Sequence, residues 1–185
     1  FTPFRAPTPL ELAHDFLWRV HAAVPPKGMI GIFNRSQYED VLAVRVHELA
    51  PKKVWKGRYE QINAFERMLT ENGVTIVKFF LHVSKEEQRQ RLHDRLTDAT
   101  KNWKFRSADL GERELWEDYT RAYVDVFRKC STEYAPWFIV PADRKHARDY
   151  LVLEKIVSTL EQMNPKYPKA DPKVLKLLSK LQKHA

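Results

Sequence analysis

A short apolar run, Met29 to Phe33, stops abruptly at Asn34-Arg35-Ser36-Gln37-Tyr38-Glu39-Asp40. A continuous apolar run of this kind suits a strand covered on both faces. In an open α/β sheet, ligands bind just outside the carboxyl ends of parallel strands. An amide, a guanidinium, a hydroxyl, a phenol and two carboxylates therefore arrive together where such a sheet would hold its ligand. Arg35 can take a phosphate through two parallel hydrogen bonds, and Glu39 or Asp40 can hold Mg²⁺ by oxygen, directly or through water. The plain alternative, an ordinary polar helix start, leaves the crowd of ligand-type side chains unexplained.

The remaining pattern alternates helix and strand without repeats, which predicts an α/β chain with a mainly parallel sheet. Thr8-Pro9-Leu10-Glu11 reads as a capping box with Pro at the first helical position. Leu10, Ala13, Leu17, Val20 and Val24 recur at helical spacing until Pro25-Pro26. After Ser36 a short helix is expected to carry Val41, Val44 and Val46 inward. Residues 51–57 read as a loop, and Arg58 to Asn72 as a helix with Tyr59, Ile62, Phe65 and Leu69 inside and Gly73 as its stop. Val74 to Val83 reads as a second strand, and Ser84-x-x-Glu87 as the box opening the next helix. Helical pattern fails over Asp98 to Lys104 and resumes from about Glu112 to Lys129. Trp137 to Val140 is a strand stopped by Pro141, and Asp143 to Met163 is the last core helix.

With 185 residues, 43% of them hydrophobic, the chain has enough apolar surface for one domain with a real core. Its net charge of +8 favours polyanionic partners. Most of the basic residues are expected simply to solvate the surface, above all the stretch Lys166 to Lys183. The single Cys130 forms no intrachain disulfide and fits a reducing, cytoplasmic setting. No stretch is long and apolar enough to span a membrane. The histidines lack zinc-site spacing, and Ser36 stands in no Gly-x-Ser-x-Gly elbow.

Phe33-Asn34-Arg35-Ser36-x-Tyr38-Glu39-Asp40 also resembles the Walker B segment of the family-2 polyphosphate kinases, P-loop phosphotransferases that move phosphate between polyphosphate and nucleotides. Phe4-Arg5-Ala6-Pro7-Thr8 and Glu11 to Arg19 resemble the family's nucleotide-side segment. Arg58 to Glu66, Lys78 to Gln88, Asn102-Trp103-Lys104-Phe105, Ser131 to Trp137 and Pro141 to Lys145 follow in the family's order. The resemblance covers roughly residues 4 to 164.

What the resemblance implies is specific. The fold would be a three-layer α/β/α P-loop kinase-like domain over residues 1–164, with a helical lid at about 88–110 and a basic C-terminal tail at 165–185. The activity would be Mg²⁺-dependent, reversible phosphoryl transfer between inorganic polyphosphate and adenine nucleotides. Asp40 would organise Mg²⁺ or activate the attacking oxygen, with Glu39 and Asn34 beside it, and Arg35 would clamp the acceptor phosphate. Arg91 and Arg95, four apart and so on one helix face, would join Lys104 in neutralising the transferred group when the lid closes. Phe4, Arg5 and Asp15 would line the nucleotide side. Asn34 followed by Glu39-Asp40 resembles members that accept both AMP and ADP. A homo-oligomer, dimer or tetramer, is expected, and nucleic acid is not expected as a partner.

Some roles stay open at this level. Lys78 either snorkels at a strand edge or touches polyphosphate. Trp103 and Phe105 anchor the lid or stack on a base. A non-catalytic polyanion-binding protein and an ATP-dependent nucleotide kinase are the rival functions. One departure from the family is plain: the five glycines (28, 31, 57, 73 and 111) form no Gly-x-Asp-x-x-Gly-Lys phosphate loop. The loop and the strand before it are expected to belong to an N-terminal part outside this sequence, so the activity is expected of the intact protein rather than of residues 1–185 alone. That strand is central in the implied fold, so the strands at Met29 and Val74 should stand apart, each with an exposed edge.

Overall fold

The computed structural model describes residues 1–174 and Leu177. Part of the basic tail foreseen over 165–185 therefore lies outside the described residues. Two compact units divide the chain, Phe1–Arg148 and Asp149–Ala185. In the first, β1 (Thr2–Pro3) precedes two short helices, α1 (Pro9–Leu12) and α2 (Trp18–Ala22), and then β2 (Phe33–Asn34). A 3₁₀ turn, Gln37–Asp40, leads to α3 (Ala43–Val46) and the long α4 (Lys52–Glu71). β3 (Lys78–His82), α5 (Lys85–Thr97), a 3₁₀ turn at Asn102–Lys104, α6 (Ala108–Glu114), α7 (Trp116–Cys130) and β4 (Trp137–Pro141) complete it. The last helix, α8 (Lys145–Met163), runs mostly within the second unit, where Tyr150, Leu153, Val157 and Met163 are exposed.

All strand pairing is parallel, as the sequence pattern predicts. β1 lies beside β2 with Thr2 opposite Phe33, and β3 beside β4 from Lys78–Trp137 to His82–Pro141. Among the described residues no ladder joins the two pairs, which agrees with the separation expected of the strands at Met29 and Val74.

The run Met29 to Phe33 is not covered on both faces: Met29, Ile30 and Ile32 are 67%, 75% and 60% exposed. Its ladder is one-sided and short. Pro3 has no N–H to give, so only the Thr2 and Phe4 amides reach across, to Ile32 O and Asn34 O. Strand geometry therefore begins only at Phe33.

Local chemistry also reshapes the helices. The Thr8–Glu11 capping box forms as expected, the Thr8 amide donating to Glu11 Oε2 at 2.6 Å. The helix foreseen through Val24 nevertheless breaks, because the Asp15 carboxylate accepts the Leu17 amide at 3.0 Å and offers the backbone a turn in place of helix. Ser84 caps α5 through the Glu87 amide, but Glu87 does not return the bond. Asp143 Oδ1 accepts the Ser84 amide instead, at 2.7 Å. In α4 the helix starts at Lys52, six positions before the expected Arg58, because Trp55 shares the inner face with Tyr59, Ile62 and Glu66. Gly73 ends that helix in the left-handed region at φ +85°, where glycine carries no Cβ penalty.

The main core packs α4 on α7, with Tyr38, Val41 and Leu42 of the turn wedged against Ile62, Ala122, Val126 and Cys130. A smaller core gathers Phe4, Val20 and Phe65. Each fully buried aliphatic side chain contributes about 1.5–3 kcal/mol from leaving water. The segment after β2 is thus part of the core on one side and solvent-facing on the other.

Candidate functional site

The site is built by the turn that follows β2. Arg35 sits at φ +63°, a left-handed conformation that costs a non-glycine residue energy and concentrates at functional positions. Ser36 then caps the turn, its Oγ accepting the Tyr38 amide at 3.4 Å and its carbonyl the Glu39 amide at 3.1 Å. This path leaves Asn34 and Arg35 exposed, sends Gln37 and Tyr38 into the core, and returns Glu39 and Asp40 half-buried at the rim. Asn34, Arg35, Glu39 and Asp40 thus share the end of β2 and the turn that follows it.

The two carboxylates differ. Asp40 is engaged: Arg58 donates to its Oδ1 at 2.9 Å and to its carbonyl at 3.2 Å. Arg58 itself lies over the Phe16 ring, 4.8 Å from its centroid. Among the described residues Glu39 has no hydrogen-bond or ion-pair partner. Burial raises the pKa of both groups; Arg35 opposes the rise at Glu39, and Arg58 opposes it at Asp40. The Glu112 charge also bears on Glu39. Among the described residues no group of three or more His, Cys, Asp or Glu forms a closed metal cage. A half-buried carboxylate without a partner still suits Mg²⁺, which binds one or two carboxylates and takes its other oxygens from phosphate and water.

Beneath the turn lies a network that was only partly legible. Glu66 is fully buried and accepts from Gln37 Nε2 at 3.0 Å, Tyr38 OH at 2.9 Å and Lys78 Nζ at 2.5 Å. Lys78 also donates to Tyr38 OH at 2.7 Å and to the Cys130 carbonyl at 2.8 Å. Lys78, 8% exposed, thus neither snorkels nor reaches solvent. Burial drives both partners towards neutrality, raising Glu66 and lowering Lys78, while their mutual attraction resists.

Of the residues expected on the nucleotide side, Phe4 is a core residue rather than an open face. It packs edge-on against Phe33 at 5.0 Å, with the Arg19 guanidinium over its ring. The Arg5 side chain is exposed and makes no hydrogen bond among the described residues, and its carbonyl accepts from Arg19 at 2.9 Å. Asp15 borders an open cleft of about 480 Å³ together with His14, Phe16, Arg58 and Gln61. Through Arg58 that cleft adjoins Asp40.

The residues expected to form the lid have local partners. Arg91 donates to Glu87 at 2.8 Å and to the carbonyls of Ala142 and Asp143 at 2.8 and 3.0 Å, fastening α5 to the segment after β4. Arg95 stands 3.7 Å from Asp109, and Lys104 lies over the Trp103 ring at 5.0 Å. Trp103 is 75% exposed, whereas Phe105 is half-buried, so any anchoring falls to Phe105. His47, at the end of α3, reaches Glu112 at 3.1 Å and Tyr119 OH at 3.2 Å, tying α6 to the core.

Sequence reasoning missed Arg58, Glu66 and Glu112 as members of this region. Glu66 carried a signal, a lone charge on the apolar stripe of α4. Arg58 and Glu112 carried none, because their partners are distant in sequence.

Comparison with known proteins follows the same lines. Residues 1–168 match the family described as Polyphosphate kinase 2. The chain is 54% identical over 168 residues to an AMP/ADP-polyphosphate phosphotransferase of Meiothermus ruber, covering 91% of this chain and 63% of that protein. It is 45% identical to an ADP-polyphosphate phosphotransferase of Rhodopseudomonas palustris, with the same two coverages, 91% and 63%. The crystal structure of Polyphosphate Kinase 2 from Arthrobacter aurescens TC1 superimposes with a TM-score of 0.91 at 47% identity, over 96% of this chain and 64% of that one. The chain thus spans less than two thirds of the length of these relatives.

Proposed function

This chain belongs to the polyphosphate kinase 2 family, and on that premise we propose that the protein transfers phosphoryl groups reversibly between inorganic polyphosphate and adenine nucleotides, taking AMP to ADP and ADP to ATP. The observation that carries the reading is the pairing of an unpartnered, half-buried Glu39 with an exposed Arg35 on one turn at the end of a parallel strand. Asn34 followed by Glu39-Asp40 supports use of both acceptors, in keeping with the name of the Meiothermus ruber relative.

Glu39 would hold a divalent cation by oxygen, with Asp40, already bound by Arg58, beside it. When bound, the cation neutralises charge on donor and acceptor phosphate oxygens. Arg35 orients the acceptor phosphate bidentately, which fixes its approach as well as attracting it. Arg5 and the cleft beside Asp15 receive the nucleotide. Arg95 and Lys104, both on the lid, meet the polyphosphate and exclude water that would divert the transfer into hydrolysis. The phosphate loop that such chemistry uses is not among residues 1–185.

The test is direct: incubate the full-length protein with polyphosphate, Mg²⁺ and ADP or AMP, and follow ATP or ADP. Transfer from ATP to AMP with none from polyphosphate would make it an ordinary nucleotide kinase. Retention of polyphosphate with no transfer at all would make it a binding protein.

A further inference from the structure

The turn bearing Glu39 and Asp40 receives little support from the sheet. Among the described residues β2 is paired for only two residues, Phe33 and Asn34, and on one side alone. What holds the turn from beneath is a ring of hydrogen bonds closed through buried charge. Glu66 Oε1 accepts from Tyr38 OH, Tyr38 OH accepts from Lys78 Nζ, and Lys78 Nζ donates to Glu66 Oε2. The third Lys78 proton goes to the Cys130 carbonyl at the end of α7, so every proton of the ammonium has an acceptor. Gln37, the neighbour of Tyr38, adds a further donor to Glu66 Oε1. Three elements, α4, β3 and α7, thus converge on two consecutive residues of the turn.

Core packing alone would not require this chemistry. An apolar set of the same volume is often as stable as a buried ion pair or more so, because both charges lose their hydration. Apolar contacts, however, are non-directional, and a wedge of them would let the short turn shift. A closed ring of charge-assisted bonds fixes the Tyr38 oxygen in direction and distance. Glu39 and Asp40 follow Tyr38 directly, so a fixed Tyr38 oxygen fixes the height of both carboxylates at the rim. The edge-to-face contact of Tyr38 with Trp137 at 4.8 Å holds the ring plane as well.

We infer that Glu66 and Lys78 are positioning residues: acting through the Tyr38 hydroxyl, they set the placement of the Glu39–Asp40 turn against the phosphates it serves. That they hold the turn rests on the geometry alone; that they thereby govern turnover rests on the proposed phosphoryl transfer.

Two variants of the full-length protein test this, Tyr38→Phe, which deletes only the bridging hydroxyl, and the double variant Glu66→Gln/Lys78→Met, which leaves no lone buried charge should Tyr38→Phe fail to fold. The first readout is amide hydrogen exchange without substrate. The Glu39, Val41 and Leu42 amides, bonded within the turn, should exchange at least about tenfold faster while Val126, mid-α7, stays near wild type. Unchanged turn amides, or a rise shared equally by Val126, would overturn the positioning role. The second readout is steady-state transfer from polyphosphate to ADP. kcat should fall by roughly 10²-fold, the scale of a small misplacement of reacting groups, with KM for polyphosphate little changed. A folded variant that keeps wild-type kcat, or loses only KM, would overturn the link to turnover. If wild type itself transfers nothing, the proposed function fails, and the exchange experiment still decides the role of the network.

Discussion

Arg58 holds Asp40 twice, by its carboxylate at 2.9 Å and by its main-chain carbonyl at 3.2 Å. One guanidinium thus fixes both the charge and the backbone at the end of the turn. Arg58 and Glu66 both come from α4, so a single helix holds the turn at its rim and at its base.

Replacing Arg58 with Met leaves a half-buried carboxylate without its cation. Stability should fall by about 1–3 kcal/mol, the cost of leaving such a group unsatisfied. Because Arg58 favours the charged form of Asp40, its loss should raise the carboxyl pKa and move the acid limb of kcat/KM to higher pH. Denaturant titration and a pH–rate profile check both. An acid limb that stays in place would mean that Asp40 does not titrate with activity.

Glu39 gives a pH signature in stability. Burial raises its folded pKa above that of the unfolded chain. Between the two values the native state binds more protons than the unfolded one, so stability falls as pH rises through that window. Glu39→Gln cannot ionise, so it should match wild type below the window, exceed it above, and lose activity by at least ~10²-fold. Urea titrations from acid to neutral pH are the measurement. Equal stability of the two proteins throughout would show that Glu39 is solvated as in the unfolded chain.

The two arginines expected in the lid should separate. Arg91 joins a carboxylate and two carbonyls at once, and an ammonium cannot reproduce that fork. Arg91→Lys should therefore lower stability measurably, whereas Arg95→Lys should lower kcat with stability within about 0.5 kcal/mol of wild type. Lys104→Ala should chiefly raise KM for polyphosphate, by a factor that shrinks with added salt. Thermal unfolding and kinetics at two ionic strengths distinguish the cases; a silent Arg95→Lys would leave the lid as a source of attraction only.

The sequence was most readable where structure is local. The Thr8–Glu11 cap, the Gly73 stop and the cluster after Phe33 all depend on neighbours within a few positions, and each forms. Residues 51–57 read as a loop, but the register of Trp55 with Tyr59 carries α4 back to Lys52. The break at Asp15 leaves no mark in the pattern, because a side chain that competes with the helix for one amide leaves the hydrophobic period intact. Lys78 was visible as an anomaly in an apolar strand, but its meaning needed Glu66, Tyr38 and Cys130, which only the fold assembles. The same holds for Asp40, whose partner Arg58 lies eighteen positions on.

At Arg35 the backbone adopts a torsion in which glycine would be at ease and an L side chain is not. Selection for stability alone would drift towards the smaller residue there. On the proposed function, a guanidinium at this position trades backbone ease for a grip on phosphate.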